Sequence, residues 1–566
     1  MNFLREVVCV FAILGMCAFG AASVNAKVFY ISQSSTKTTG GTTGCSDTLS
    51  IAWFNNPSSW GTASHQIGPG TTVYLCGSFH GVAGQQLLKV HGSGSSSSPV
   101  TIKFESGTTF SAPYWSTGGA INVDNVSYVV VDGGTNGVIQ DTDNGTIRHY
   151  HHDSRGISAY NCTGCTVQNL TIQNLYVRTS LSDETPTSMT SCVYWHLSNH
   201  FTVNHITCHD AVWAVAGDGN NFTLEYSNIY RVDHGLASGP THYVSGYSIH
   251  HNHFHDAAIW DSSNNRYHHD GVHLWGQNGG AITGVSIYNN TFDGDFGANV
   301  TAHIFLQDSI RNVHVYNNTT VTPATRNMQS VWFYAPSTSL PGGAASGNSA
   351  YNNSLNAGGH RSGSALAAFA QLQFTAVNNI LSGGLANISI QNGGTRSSTG
   401  INNNTYRNLF AEIGDLNIFG FQGKGYYVFS QWRSACHCDG SSALITSAQT
   451  TAFSPTVGAS TTETPETPYS ATVGLSPADA AGALSEGTSA EIAPVGAITP
   501  AGVQEPVPES ATTPDAESAA IQDLIAAGIG QGLNLSDIAV DELAPLAQDQ
   551  NGAARPLNGP WNIGPY

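Results

Sequence analysis

The sequence predicts an all-β fold, a single-stranded parallel β-helix, on three observations. Short runs of alternating apolar and polar residues end repeatedly at an asparagine-rich turn, as in FTVNHIT, VSIYNNTF, HVYNNTT, SAYNNSL and TAVNNIL. The turn position, read at His205, Asn228, His253, Asn290, Asn318, Asn353, Asn379 and Asn404, recurs every 23 to 37 residues. That period, filled by strands of four to six residues, is the mark of a solenoid whose units bury their inner faces only by stacking. Finally, only 10% of the 566 residues are charged and 62 are glycine, which suits many short strands and turns better than long helices.

The elements follow in order. Residues 1–26 carry an apolar stretch, Val7 to Gly20, and end in Val24-Asn25-Ala26, which predicts a secretory signal cut after Ala26 and an extracellular protein. Residues 27–454 hold the repeats. In each unit Val, Ile, Phe and Leu at alternate positions point inward. Asparagine returning to one turn predicts a ladder of stacked amides, since Asn also tolerates left-handed backbone. Residues 455–550 are rich in Ala, Thr, Pro and Glu, lack repeat turns and predict a disordered acidic segment. Residues 551–566 close the chain.

Charge narrows the partners. Fourteen acidic residues lie between Pro455 and Gln550, so the net charge of −19 falls to −5 for the rest. No basic patch is present, which argues against nucleic acid. No apolar run beyond the signal is long enough for a bilayer. A monomer acting on a polysaccharide is the expectation. Without Cys9 and Cys17, eight of the ten cysteines remain. An even number in an exported chain favours disulfides, with Cys45–Cys76 and Cys192–Cys208 as long-range pairs. The close pairs Cys162/Cys165 and Cys436/Cys438 suit local bridges, with zinc as the alternative.

Two stretches carry a resemblance. Lys27-Val-Phe-Tyr-Ile-Ser with Ile67-Gly-Pro-Gly-Thr-Thr-Val-Tyr-Leu-Cys-Gly, and the ending Trp561-Asn-Ile-Gly-Pro-Tyr, resemble exported right-handed parallel β-helix proteins of the pectate-lyase-like superfamily. The resemblance covers residues 27–430 and the last fifteen. It implies the hand of the helix. It leaves activity open, because the superfamily holds lyases, hydrolases, epimerases and adhesins.

Chemistry concentrates in one window. Between Trp195 and His314 lie 15 of the 23 histidines, together with Trp195 itself, Trp213, Trp260 and Trp275. Asp233 and Asp270 begin strands of neighbouring coils, so their carboxylates are expected ~5 Å apart, close enough to couple and to serve as a retaining hydrolase's pair. His269 is positioned as a base or as the group that orients Asp270, and Asp256 and Asp308 are further carboxylate candidates. The same oxygens suit Ca²⁺, although no cofactor is required. If Val272, Ile304 and Val331 face inward, strict alternation turns His273, Trp275, His303, Phe305, Trp332 and Tyr334 outward as a sugar-binding strip, with His234 and Arg266 beside it. Hydrolysis of a polysaccharide is the leading expectation. Elimination on a uronic-acid polymer, assisted by Ca²⁺ or Arg, comes second, and a non-catalytic adhesion solenoid third.

Overall fold

The computed structural model describes residues 27–445, apart from 184–189, 263–267, 337–338, 360–361, 373, 392–405, 412–418, 422–423, 427–428 and 437–442. The predicted signal, the acidic segment, the closing segment, Arg266, Asn404 and Cys438 lie outside the described residues, as does the side chain of Cys436.

Strands stack one coil upon the next. One face runs from Val28–Ser32 to the start of Tyr406–Ala411 through twelve successive parallel pairings. A second face carries Arg155–Tyr160, Ser191–His196, Thr207–Gly217, Asn228–Ser238, Asp270–Trp275, Ala302–Gln307, Gln329–Tyr334 and Ser364–Phe369 in the same sense. This is the right-handed parallel β-helix, with the hand that nearly all parallel crossovers take. The one antiparallel pair among the described strands is Phe419–Phe421 with Lys424–Tyr426. No helix among the described residues is long and apolar enough to cross a membrane.

Alternation builds the core. Val203, Leu224, Ile249, Ile287 and Val315 are buried at equivalent levels, and inward aromatic rings stack between coils, as Trp195 on Phe222 at 4.0 Å and Phe254 on Phe292 at 4.9 Å. The N-terminal end is roofed. Ser50 caps the short helix Ile51–Phe54, Trp53 packs on Phe29, and Trp60 packs edge-on to Phe54. Among the described residues the outer side of the first strand pairs Ile31 with Leu49 and Ser32 with Ser50, and the Tyr30 N–H donates to the Gly41 carbonyl.

The amide ladder forms at the turn. Asn252 donates to Asn290, Asn290 to Asn318, Asn318 to Asn353 and Asn353 to Asn379, at 2.8–3.1 Å. In each Asn-Asn pair the first residue turns the backbone, with φ of 54° at Asn289, 55° at Asn317 and 54° at Asn352, and the second is buried in the ladder. Three turn positions need correction by one residue. Asn252, Ser227 and Ile206 stand at the ladder position, not His253, Asn228 and His205: Ser227 donates its backbone N–H to Asn252 Oδ1, and Ile206 donates its own to Ser227 Oγ.

Three disulfides join Cys45 to Cys76, Cys162 to Cys165 and Cys192 to Cys208. Cys162 and Cys165 therefore form a local bridge, not a zinc site. The Cys192–Cys208 bridge closes a loop of 16 residues inside the core. Replacing both by Ala is expected to lower stability by about 3 kcal/mol, through the freedom restored to the unfolded chain. Urea titration under non-reducing conditions measures it, and an unchanged midpoint contradicts it.

Candidate active site

Two neighbouring coils build the site. Their register sets His234 opposite Asp270, Leu236 opposite Val272 and Ala237 opposite His273. Glycine fixes that register. A Cβ on Gly235 would lie 2.4 Å from both the Gly271 carbonyl oxygen and the Phe254 ring, and one on Gly271 would lie 2.5 Å from the Phe292 ring. Aligned on these glycines, Asp233-His234-Gly235 matches His269-Asp270-Gly271. The expected facing of Asp233 and Asp270 is thus off by one residue, and the imidazole of His234 lies between the two carboxylates.

The contacts form a connected nest. His234 Nδ1 lies 2.7 Å from Asp233 Oδ2, and its Nε2 lies 3.4 Å from Asp270 Oδ2 and 3.2 Å from His273 Nδ1. His273 Nδ1 is 3.6 Å from the same Asp270 oxygen, and its Nε2 is 3.2 Å from Gln307 Oε1. His268 Nε2 approaches Asp270 Oδ2 at 3.8 Å. The other oxygen of Asp270 accepts the Ala302 N–H at 2.9 Å, whereas Oδ2 accepts no hydrogen bond from any described residue although it is fully buried. Behind these groups, Asp233 Oδ1 meets His269 Nδ1 at 3.1 Å, and His269 Nε2 meets Asp261 Oδ1 at 2.9 Å. Asp261 is fastened in turn by the N–H groups of Ala298 and Asn299. Arg178 holds the adjoining turn by donating to the carbonyls of Ile259 and Asp261.

Burial divides the charges unevenly. Removal from water pushes the Asp270 carboxyl up to about 7, against the pull of His234. Burial also opposes ionisation of Asp233, but His234 and His269 overcome it and hold that carboxylate far below the usual range. For His234 burial is likewise outweighed, here by Asp233, and its pKa rises to about 10. Burial lowers His273 well below the ordinary value and brings His268 down to about 4. With 44% of its side chain exposed, His268 is the member of the nest that faces solvent.

Other expected residues fall in three places. His273, Phe305 and Trp332 form a row along the axis, with ring centroids 4.7 and 4.9 Å apart, and Trp275 and Tyr334 flank it at 4.4 Å from His273 and 5.0 Å from Trp332. These rings stack on one another, so the open surface falls to the half-buried Trp275, Trp332 and Tyr334. Asp256 sits apart, tied to His255 at 2.8 Å and lining a recess of about 450 Å³ with Tyr230, Arg231, Ile259 and Asp295. Asp308 occupies a left-handed turn residue after Gln307, and burial pushes its carboxyl up to about 6. No hydrogen bond joins Asp256 or Asp308 to the described residues of the nest. The Ca²⁺ expectation meets the wrong donors: both oxygens of Asp233 are taken by imidazoles, and nitrogens outnumber oxygens around Asp270. Sequence reading missed His268, Asp261 and Gln307 as members of the nest; the glycine alignment was the signal that would have brought the two coils into register.

His303 is a correction. It does not point outward with Phe305 but into the core, fully buried against Phe292 and edge-on to Phe296 at 4.7 Å. Two successive residues face inward at this level of each coil, Gly235-Leu236, Gly271-Val272 and His303-Ile304, and this breaks the count of two. Neither ring nitrogen has a hydrogen-bond partner among the described residues, and burial lowers the pKa to about 3. A depressed imidazole leaves the folded state neutral while the unfolded chain protonates. Its contribution is therefore whole above about 6.5 and is lost as pH falls toward about 3. His303→Leu is expected to raise stability by about 1 kcal/mol at pH 7 by removing an unsatisfied polar group, and by more at pH 5. Thermal unfolding at the two pH values checks both the gain and its growth in acid.

No protein-family model matches the chain, and no curated protein matches it in sequence. Among solved structures the chain is similar to a GH136 lacto-N-biosidase from Eubacterium ramulus, at 11% identity over 70% of this chain and 68% of that one, with a TM-score of 0.41. It is similar to the Dettilon tailspike protein at 11% identity over 62% of each chain, with a TM-score of 0.37. A PL6 family polysaccharide lyase from Pseudopedobacter saltans matches at 13% identity over 64% of this chain and 83% of that one, with a TM-score of 0.34.

Proposed function

We propose that the protein is an exported carbohydrate-active enzyme that cleaves a polysaccharide lying along its coils, with Asp270 and the surrounding imidazoles as the reactive centre. One observation carries this reading. A buried carboxylate oxygen without a hydrogen-bond partner among the described residues sits among three imidazoles at the head of a row of aromatic rings. Buried, unsatisfied titratable groups beside a binding surface are the usual marks of a reacting site. The row runs parallel to the stacking axis, where a coil spacing of ~4.8 Å is close to the length of one sugar unit. The three disulfides support export.

Hydrolysis is the first reading, with Asp270 handling the proton at the glycosidic oxygen. Asp233 is not its partner carboxylate, because both its oxygens are committed to histidines. Elimination on a uronic-acid polymer is favoured by the imidazoles, which suit removal of the proton beside a sugar carboxylate. The test is a panel of neutral and uronic-acid polysaccharides read in two ways. New reducing ends alone mean hydrolysis, and an ultraviolet-absorbing unsaturated product means elimination. Neither product from any member overturns the proposal and leaves a binding solenoid.

A further inference from the structure

We propose that the nest binds a divalent transition-metal ion, Zn²⁺ in the first instance, through His234 Nε2, His273 Nδ1 and Asp270 Oδ2, with His268 Nε2 as the fourth and loosest ligand. The inference rests on the reading of this nest as the reactive centre and adds to it the ion that the centre uses.

His234 Nδ1 faces a carboxylate oxygen of Asp233 at 2.7 Å, so the proton of a neutral ring sits on that nitrogen and the lone pair on Nε2. His273 Nε2 faces the carbonyl oxygen of Gln307 at 3.2 Å, so its lone pair is on Nδ1. Asp270 is anchored through Oδ1 by the Ala302 N–H, which leaves Oδ2. Three ligand atoms thus converge on one point: 3.2 Å from nitrogen to nitrogen, and 3.4 and 3.6 Å from nitrogen to oxygen. Without an ion a proton held among them answers their mutual repulsion, and a divalent ion would take that proton's place at the centre.

The distances fit an ion. Ligands bound at ~2.0–2.1 Å in a tetrahedron stand ~3.3–3.4 Å from one another. The tight triangle has edges of that length, and all four ligand atoms lie within 4.8 Å of one another. Three imidazoles and one carboxylate favour zinc and its neighbours over Ca²⁺ or Mg²⁺, which prefer all-oxygen shells.

The outer partners fit as well. Metal-bound histidines are characteristically oriented by a carboxylate or carbonyl on the other ring nitrogen. Asp233 and Gln307 do this for His234 and His273, and the chain Asp233–His269–Asp261 extends the support by two residues. His268 is the partly exposed ligand, so a substrate oxygen that displaces it would reach the ion.

The test measures uptake on the full chain, independently of turnover. Chelator-treated protein is dialysed against Zn²⁺ or Co²⁺ and its metal content is determined. One equivalent per chain is expected, and the Co²⁺ form should show the intense visible bands of a four-coordinate nitrogen and oxygen site. His273→Ala and Asp270→Asn should each lower affinity at least 100-fold, and Asp233→Asn by 10- to 100-fold. His251→Ala, on a different face, should leave uptake unchanged and so exclude adventitious binding by surface histidines. Circular dichroism establishes that each variant is folded. Uptake below one-tenth of an equivalent by the wild type, or equal uptake by wild type and His273→Ala, overturns the inference. Polysaccharide cleavage by metal-free protein would overturn the metal alone and leave the enzyme reading standing. One bound equivalent with no cleavage of any polymer would do the reverse.

Discussion

Asp270→Asn is expected to lower polysaccharide cleavage by ~10²-fold or more while the protein stays folded. The substitution keeps the volume and the oxygen that accepts the Ala302 N–H, so the strand keeps its anchor. The loss falls on Oδ2, the atom facing His234, His268 and His273. An amide nitrogen there can neither transfer a proton nor ligate an ion. Turnover and thermal unfolding of the same preparation decide the matter. Near-full turnover removes Asp270 from the chemistry, and a collapse of the melting transition makes it a structural residue.

Asn318→Ala is expected to have the largest effect on stability, about 3–5 kcal/mol. Asn318 is fully buried in the middle of the ladder. Its amide donates to the carbonyls of Ile287 and Tyr316 and to Asn353 Oδ1, and its oxygen accepts from both the backbone and the side chain of Asn290. Truncation leaves these groups buried without partners, and each such loss costs about 1–3 kcal/mol before relaxation. Chemical denaturation gives the value. A loss under about 1 kcal/mol would mean that the amides only fill space.

The fold was legible because its cause is repetitive. The Asn289-Asn290, Asn317-Asn318 and Asn352-Asn353 pairs each combine a left-handed turn residue with a ladder amide, and the apolar alternation around them reads directly as inward and outward faces. The site was half legible. The two coils that form the nest were readable, and Asp233, Asp270, His234, His269 and His273 do meet in it. What failed was counting. Alternation has a period of two only while a strand stays regular, and here consecutive residues turn inward at Gly235-Leu236 and His303-Ile304. That single irregularity moved His303 from the surface to the core. The Asp233/Asp270 pairing slipped because the strands were aligned on their acids. The steric demand that sets the register belongs to the glycines, whose role lies in what a side chain would strike. The relation of Gln307 to the nest was not readable, since it comes from the next coil and meets His273 only after winding, and Asp261 reaches His269 from eight residues upstream in a connecting segment to which alternation does not apply.

The roof over the first strand has a consequence of its own. A stack of parallel strands with amide ladders is built on the repeat that amyloid fibres extend without limit, with an identical edge awaiting the next layer. Among the described residues the outer edge of Val28–Ser32 meets only Leu49, Ser50 and the Gly41 carbonyl, and Trp53, Phe54 and Trp60 close over the hydrophobic end. That cover makes the solenoid a counted object: it ends growth at the coil the gene specifies, and it keeps one molecule from serving as the seed on which another is laid.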